Sequence, residues 1–257
     1  METASSDDAR RVNLILFDPA EVDASGVVRL SGARATHLVN VLDVSPGQIV
    51  RVGMLDGPLG TGTVQSIVDG TVALRCVFNT DVPPAPAVDL LLALPRPKVM
   101  RRLWAQLAAL GVAQIILTNA ERVERNYFDT HVVTPECYRP LLIEGLQQAR
   151  DTRVPVVSIQ KQFKVLLEDR LDGLFPNGLR LLADPSAEKS IGTMAADLKG
   201  RRVLLAIGPE GGWNDFERRL LEAHGFQSVG MGPRTLRTDT ACVALLALVH
   251  EAIGSPD

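Results

Sequence analysis

Residues 88–94 read VDLLLAL, an almost unbroken apolar run that follows the proline-rich segment DVPPAPA at 81–87. A strand that is apolar along its whole length is typical of a sheet buried on both faces. The residues that follow change period, because the apolar positions of 98–110 recur at helical spacing up to Gly111. A buried strand followed at once by an amphipathic helix is the repeating unit of an α/β fold.

The same alternation continues to the C-terminal end. Further strands are predicted at 114–118, 154–159, 179–183, 202–207 and 228–231, with a second helix at 136–150. We therefore expect an α/β domain over residues 88–257, built on a mostly parallel sheet of about six strands with helices on both sides.

The first part of the chain has a different pattern. Short runs rich in β-formers, VNLIL, GVVRL, QIVRV, GTVQSIV and TVALRCVF, lie between residues 12 and 78 and are separated by Gly, Pro or Asp, with one helical insertion at 33–42. They predict a small β-barrel over 12–81. Prolines lack an amide donor and fix φ, so 82–87 is interpreted as a linker, and the polar residues 1–11 as a disordered leader.

Composition limits the possible classes. The 257 residues are 46% hydrophobic and 22% charged, as in ordinary globular proteins, and no apolar run approaches the roughly 20 residues of a membrane span. The start lacks a secretory signal, so we expect a cytoplasmic protein. Three separated cysteines and four scattered histidines predict no metal site. With a net charge of −3, contact with a nucleic acid requires a local basic patch.

The stretch IGPEGGWNDFE at 207–217 follows a predicted strand and leads into a helix. Its three glycines allow a tight turn with close backbone approach, and Asn214 with Glu217 predicts a capping box. Neither the dinucleotide fingerprint nor the P-loop pattern is present. The segment is either a tight strand-to-helix turn or a site for adenosine bound without phosphate recognition.

A second loop, MGPRTLRTDTA at 231–241, follows the next strand. Parallel strands end at the same edge of a sheet, so the two loops are expected to converge where open α/β sheets bind ligands. Arg234 and Arg237 are candidates for binding phosphate, anchoring carbonyls or stabilising negative charge on a substrate oxygen, and we favour Arg237 for a functional role.

The final predicted helix, TACVALLALVHEAI at 240–253, is apolar on nearly every side. A helix of this kind must be buried, either within its own domain or against a second subunit. We predict a homodimer through this region.

The order of IGPEGG, then MGPRTLRT, then a C-terminal helix resembles the SPOUT class of methyltransferases, and most closely its ribosomal RNA uridine-N3 branch, the RsmE family. HLVNVLDVSPGQIVRV resembles that family's N-terminal barrel, and LAALGVAQIILTNAERV its first α/β unit. The resemblance implies a PUA-like, RNA-binding β-barrel followed by a SPOUT domain with a trefoil knot. Asp184 stands where the family often has histidine.

The resemblance also implies a cofactor and a reaction: methylation of N3 of a uridine in 16S small-subunit ribosomal RNA, free or in the assembled subunit, with S-adenosylmethionine as donor. By resemblance, the cofactor-binding residues are Leu182, Ala183, Asp184, Ile207, Gly208, Pro209, Glu210, Gly211, Gly212, Met231, Gly232, Leu236, Arg237 and Thr238.

Uridine N3 carries a proton at neutral pH, so a catalyst must help to remove it and stabilise the charge that develops. Arg237 and Arg11 are the predicted catalytic residues, while Glu210 either accepts a proton or caps backbone amides. The predicted RNA-binding residues are Arg96, Lys98, Arg101 and Arg102, which otherwise form a solvated helix face. Two alternatives stay open: a non-catalytic RNA-binding dimer, and a methyltransferase that acts on another RNA.

Overall fold

The computed structural model describes residues 14–232 and 234–254. The chain forms two compact units, one with the residues up to Pro84 together with Leu146–Val154, and the other with Ala85–Gly145 and the chain from Pro155 onward. The predicted leader at 1–11 lies outside the described residues.

The first unit contains a five-stranded sheet of order β1-β3-β4-β5-β2. The strands are β1 Ile15–Phe17, β2 Val27–Leu30, β3 Ile49–Met54, β4 Leu59–Val68 and β5 Thr71–Phe78, and helix α1, Gly32–Asn40, joins β2 to β3. Only β1 and β3 pair in parallel among these described strands. Alternate residues face a core that includes Phe17, Leu30 and Leu74, as the alternating sequence pattern predicts.

A short segment from the middle of the chain, Leu146–Val154, also belongs to this unit. The amide of Asp56 donates to the carbonyl of Thr152 at 2.8 Å, and the Thr152 hydroxyl donates to the carbonyl of Gly57 at 2.7 Å. The amide of Val154 donates to Asp56 Oδ1 at 2.9 Å. This segment was predicted to be part of the second domain, but these hydrogen bonds hold it against the turn between β3 and β4.

The second unit is an α/β layer structure, which confirms the predicted α/β class with a mostly parallel sheet flanked by helices. Its six-stranded sheet has the order β11-β9-β10-β6-β7-β8, and every described pair is parallel. The strands are β6 Val88–Ala93, β7 Val112–Thr118, β8 Val156–Gln160, β9 Leu179–Ala183, β10 Val203–Ile207 and β11 Phe226–Val229. The helices are α2 Pro97–Ala109, α3 Pro135–Ala149, α4 Phe163–Val165, α5 Leu171–Leu174, α6 Ala195–Leu198, α7 Asp215–Ala223 and α8 Thr238–Ile253.

Local sequence accounts for these elements. Every residue of β6 and of β10 is buried, as expected for the two central strands of a sheet covered on both faces. Helix α2 starts with proline in its first turn, and Gly111, at φ +73°, follows its C-terminal end. Within the described residues, no helix is both long and apolar enough to cross a membrane.

Helix α8 is buried on one side. Cys242, Leu246 and Val249 face the interior of the second unit, whereas Val243 and Leu248 are 38% and 41% exposed. A helix face that is exposed to water normally carries polar residues.

Candidate active site

Three strands end side by side at the carboxyl edge of the sheet, and the loops that follow them enclose one cavity. Strand β9 lies between β10 and β11, so the turn after β9 separates the two loops identified from the sequence. The cavity has a volume of about 170 Å³. It is lined by Leu182, Ala183, Asp184, Pro185, Ile207, Gly208, Pro209, Glu210, Gly212, Trp213, Arg218, Val229, Gly230, Met231, Gly232, Arg234, Thr235, Leu236, Thr238, Ala241 and Leu245.

Most of the predicted cofactor-binding residues belong to this lining, and the exceptions among them are Gly211 and Arg237. Arg237 is exposed at the N-cap of α8, between the lining residues Leu236 and Thr238. Arg234, the other arginine of that loop, does line the cavity. Arg11, the second predicted catalytic residue, lies outside the described residues.

The loop after β10 is closed by the predicted capping box, which the structure confirms. Asn214 Oδ1 accepts from the amide of Glu217 at 2.8 Å, and Glu217 Oε2 accepts from the amide of Asn214 at 2.8 Å. The other oxygen of Glu217, Oε1, accepts from the amide of Glu121 at 2.7 Å. A buried carboxylate therefore fixes both the start of α7 and the loop after β7.

Trp213 forms one wall of the cavity and was not identified from the sequence. Its indole stacks on Phe163 with 5.2 Å between ring centroids. A Cβ at Gly208 would lie 3.0 Å from Trp213 Nε1, so glycine allows the backbone to approach the indole. Trp213 Nε1 is buried and donates to no acceptor among the residues that the structure describes. An indole N–H in this state is available to a ligand.

The turn after β9 is held by a network around Asp184. Its Oδ1 accepts from the amide and the hydroxyl of Ser186 at 2.8 and 2.7 Å. Its Oδ2 lies 3.1 Å from the guanidinium of Arg218 on α7. The two cavity-lining loops are also in contact, since the Thr238 hydroxyl donates to the carbonyl of Gly208 at 3.4 Å.

The glycines and Glu210 of the loop after β10 are approached by arginines. Arg122 donates to the carbonyl of Gly211, and a Cβ at Gly211 would lie 2.8 Å from Arg122 Cδ. Arg96 Nε lies 3.3 Å from Glu210 Oε2. Both arginines precede this loop in the chain by about a hundred positions, which is why sequence alone did not connect them.

The predicted basic cluster lies at the start of α2. Arg96, Lys98, Arg101 and Arg102 are all exposed. Arg102 pairs with Asp239, the second residue of α8, at 3.1 Å. Arg96 and Arg102 thus contact Glu210 and Asp239, which belong to the two glycine-rich segments around the cavity. Exposed ion pairs of this kind contribute little to stability.

Several lining residues were not predicted from the sequence as part of the site: Trp213, Arg218, Val229, Gly230, Ala241 and Leu245. The available signal was position, because most of them lie next to the two glycine-rich loops. Leu245, inside α8, carries no such signal. Among the described residues, no group of His, Cys, Asp and Glu side chains is arranged to hold a metal ion.

The sequence of the chain is similar to those of known proteins. Residues 83–250 match the family described as RNA methyltransferase domain. Ribosomal RNA small subunit methyltransferase E from Treponema pallidum is 30% identical over 243 residues, 93% of this chain and 90% of that protein. The protein of the same name from Mycobacterium tuberculosis is 25% identical over 240 residues, 93% of this chain and 91% of the relative.

The fold has solved counterparts. The crystal structure of a ribosomal RNA small subunit methyltransferase E from Neisseria gonorrhoeae, bound to S-adenosyl methionine, has a TM-score of 0.73 and 22% identity, covering 92% of this chain and 96% of that one. At this identity the likeness concerns the fold. The family match over more than half of the chain, together with the relative at 30% identity, shows that this protein is an RNA methyltransferase and belongs to the ribosomal RNA small subunit methyltransferase E family.

Proposed function

We propose that the chain transfers the methyl group of S-adenosylmethionine to N3 of a uridine in 16S small-subunit ribosomal RNA. The observation that carries this proposal is the cavity at the carboxyl edge of β9, β10 and β11 in a chain of this family. Open parallel sheets bind their ligands at that edge.

The lining fits S-adenosylmethionine by its chemistry. Side chains such as Leu182, Ile207 and Leu236 offer an apolar surface for an adenine ring, while the glycine-rich turns expose backbone groups. Asp184 and Glu210 add negative charge to a lining that would face the positive charge of the donor. Trp213 Nε1, which has no acceptor among the described residues, supplies a donor. When bound, S-adenosylmethionine provides a methyl group already activated by its sulfonium.

The residues of the protein then have two tasks. The first is to hold both reactants close and aligned, which can account for most of the acceleration of a bimolecular transfer. The second is to stabilise the charge that spreads over the uracil oxygens once N3 loses its proton. We assign that task to Arg237, with Arg11 as a second candidate. A hydrogen-bond donor aimed at developing negative charge lowers the activation free energy by about 3 kcal/mol. Glu210 is engaged by Arg96, which favours a structural role for it.

RNA binding is proposed for two parts of the chain. The first unit would bind RNA as a PUA-like barrel. The second unit would have the knotted SPOUT fold. The cluster of Arg96, Lys98, Arg101 and Arg102 would contact phosphates at the start of α2, since all four are exposed, three of them in the first two turns of α2 and Arg96 at its N-cap. A cytoplasmic location is part of the same proposal.

The outer face of α8 supports a homodimer. Val243, Ala247 and Leu248 are exposed there at helical spacing, next to Ala244. An apolar stripe of this kind is stabilised by burial against a second copy, and a twofold interface would pair it with itself.

Methyl transfer from labelled S-adenosylmethionine to free 16S ribosomal RNA and to assembled small subunits tests the proposal, with the product nucleoside identified after digestion. We expect 3-methyluridine with at least one of the two substrates. Donor binding without transfer would point to a non-catalytic RNA-binding dimer, and a different methylated nucleoside to another target; either result would overturn the proposal.

A further inference from the structure

A second cavity lies at the same edge of the sheet, beyond β7 and β8. Its volume is about 430 Å³, and its walls come from the loop after β7, the loop after β8 and the start of α7. The segment after β10 contributes to both cavities: Gly208, Trp213 and most residues between them line the first, and Asn214 lines the second with Phe216 and Glu217 of α7. A strand of RNA whose target uridine reaches the donor in the first cavity would thus bring its neighbouring nucleotide toward the second.

The wall between the two cavities is a pair of stacked rings. Phe163 lines the second cavity and Trp213 the first, with 5.2 Å between their centroids. Both side chains are buried, so their positions are set by packing rather than by solvent. Occupants of the two cavities would be neighbours across this ring pair.

Three cations line the second cavity: Arg125, Lys161 and Lys164, all exposed. Lys161 pairs with Asp129, and Lys164 with Glu168, each at 3.7 Å between largely exposed groups. Surface pairs at that distance are weak and can be exchanged for a phosphate. Two carboxylates also line the cavity, those of Glu121 and Glu217. That of Glu217 is buried and already accepts two backbone N–H groups.

An aromatic ring and an unsatisfied amide complete the lining. Phe216 is 53% exposed in the first turn of α7, although a large apolar ring is normally buried. Asn119 Oδ1 is buried and accepts no hydrogen bond from the residues that the structure describes. A nucleotide meets all three features, because its base stacks on an aromatic ring, its base edge offers N–H donors and its phosphate pairs with lysine.

We propose that this second cavity binds a nucleotide of single-stranded RNA adjacent to the one that is methylated, with the base on Phe216 and the phosphate at Lys161 and Lys164. The proposal rests on the proposed function in one respect, namely that the adjacent nucleotide is the one that is methylated. It assigns to the second unit a subsite for substrate RNA that is separate from the basic cluster on α2.

The test is the affinity of the full-length protein for a short single-stranded oligouridine, measured by fluorescence anisotropy over a range of salt concentrations. The variants are K161A/K164A, F216A and F216Y, with K199A as control. Lys199 is exposed and precedes β10, so it lies at the opposite edge of the sheet. The affinity for S-adenosylmethionine is measured in parallel, by calorimetry.

The two interactions predict different signatures. Loss of each lysine should reduce the slope of log affinity against log salt by about 0.7. F216A should weaken binding by roughly tenfold and leave the slope unchanged, while F216Y retains affinity because stacking needs only the ring. K199A should change neither quantity, and all variants should bind the donor like the wild type.

Unchanged RNA affinity in both K161A/K164A and F216A would overturn the proposal, as would a loss of donor affinity with RNA affinity intact, which would place the donor in this cavity. Because no methyl transfer is measured, the outcome is independent of the target base. If the wild type forms no 3-methyluridine but these variants still weaken RNA binding as described, the proposed function fails and the RNA subsite stands.

Discussion

The carboxylate of Asp184 lies 3.1 Å from the guanidinium of Arg218, so the turn after β9 is tied to α7, and both residues line the cavity. Burial favours the neutral carboxyl, but the hydrogen bonds from Ser186 and the charge of Arg218 outweigh it, and the pKa of Asp184 lies below its ordinary value. The ionised carboxylate therefore contributes to the stability of the fold.

Replacing this carboxylate should destabilise the protein in a pH-dependent way. Because the folded pKa lies below the unfolded one, the contribution is complete above about pH 4 and is lost as the pH falls through the folded pKa. We expect D184N to lower the free energy of unfolding by about 1 kcal/mol at neutral pH, a difference that shrinks in acid. Urea denaturation over a pH series measures this, with D197N on the exposed part of α6 as control. A deficit that stays constant down to acid pH would refute the assignment.

Adding one methyl group at Gly208 should impair donor binding. The new Cβ would lie 3.0 Å from Trp213 Nε1, and the indole cannot retreat freely because it is stacked on Phe163. We expect G208A to raise the Kd for S-adenosylmethionine by at least about tenfold, measured by calorimetry, since a displaced wall changes the shape of the cavity. The control is G173A, where a Cβ meets nothing within 4 Å. Equal donor affinity in the two variants would count against the cavity as the donor site.

Glu217 should contribute more to the stability of the fold than a glutamate on a helix surface usually does. Glutamine has a single carbonyl oxygen, so E217Q leaves the amide of either Asn214 or Glu121 without an acceptor. We expect a loss of about 1 to 3 kcal/mol in the free energy of unfolding, measured by urea denaturation. E222Q, exposed on the same helix, should be neutral. Equal stability of both variants would show that the buried carboxylate contributes little.

The outer face of α8 should mediate self-association. A carboxylate at Leu248, which is 41% exposed, would be buried without a partner in a dimer formed through this face. Sedimentation velocity should give a dimer for the wild type and a monomer for L248E. V156E, at an exposed position on the edge strand β8, should remain a dimer. A monomeric wild type, or a dimeric L248E, would exclude this interface.

Features that are local in sequence were predicted well. β6, apart from Asp89, and β10 are apolar because both faces of the sheet are covered there. Asn214 and Glu217 are three residues apart in the capping box that they form. The glycine-rich loops were found for the same reason, since tight turns need particular residues at fixed offsets.

Contacts between distant residues were not predictable. The hydrogen bond from Glu121 to Glu217 joins positions 96 apart, and nothing in either stretch indicates the other. Trp213 was missed because its role depends on stacking against Phe163 from another loop. The attachment of Leu146–Val154 to the first unit depends on backbone hydrogen bonds around Thr152, which leave no pattern in the sequence.

The most direct test of the central proposal is mass spectrometry of nucleosides from small-subunit ribosomal RNA, in cells with and without this protein. Cells that lack it are then supplied with the wild type or with R237A, whose kcat should fall by about a hundredfold or more if Arg237 stabilises the developing charge. We predict that 3-methyluridine disappears on deletion, returns with the wild type and does not return with R237A. An unchanged amount of 3-methyluridine after deletion would contradict the proposed reaction.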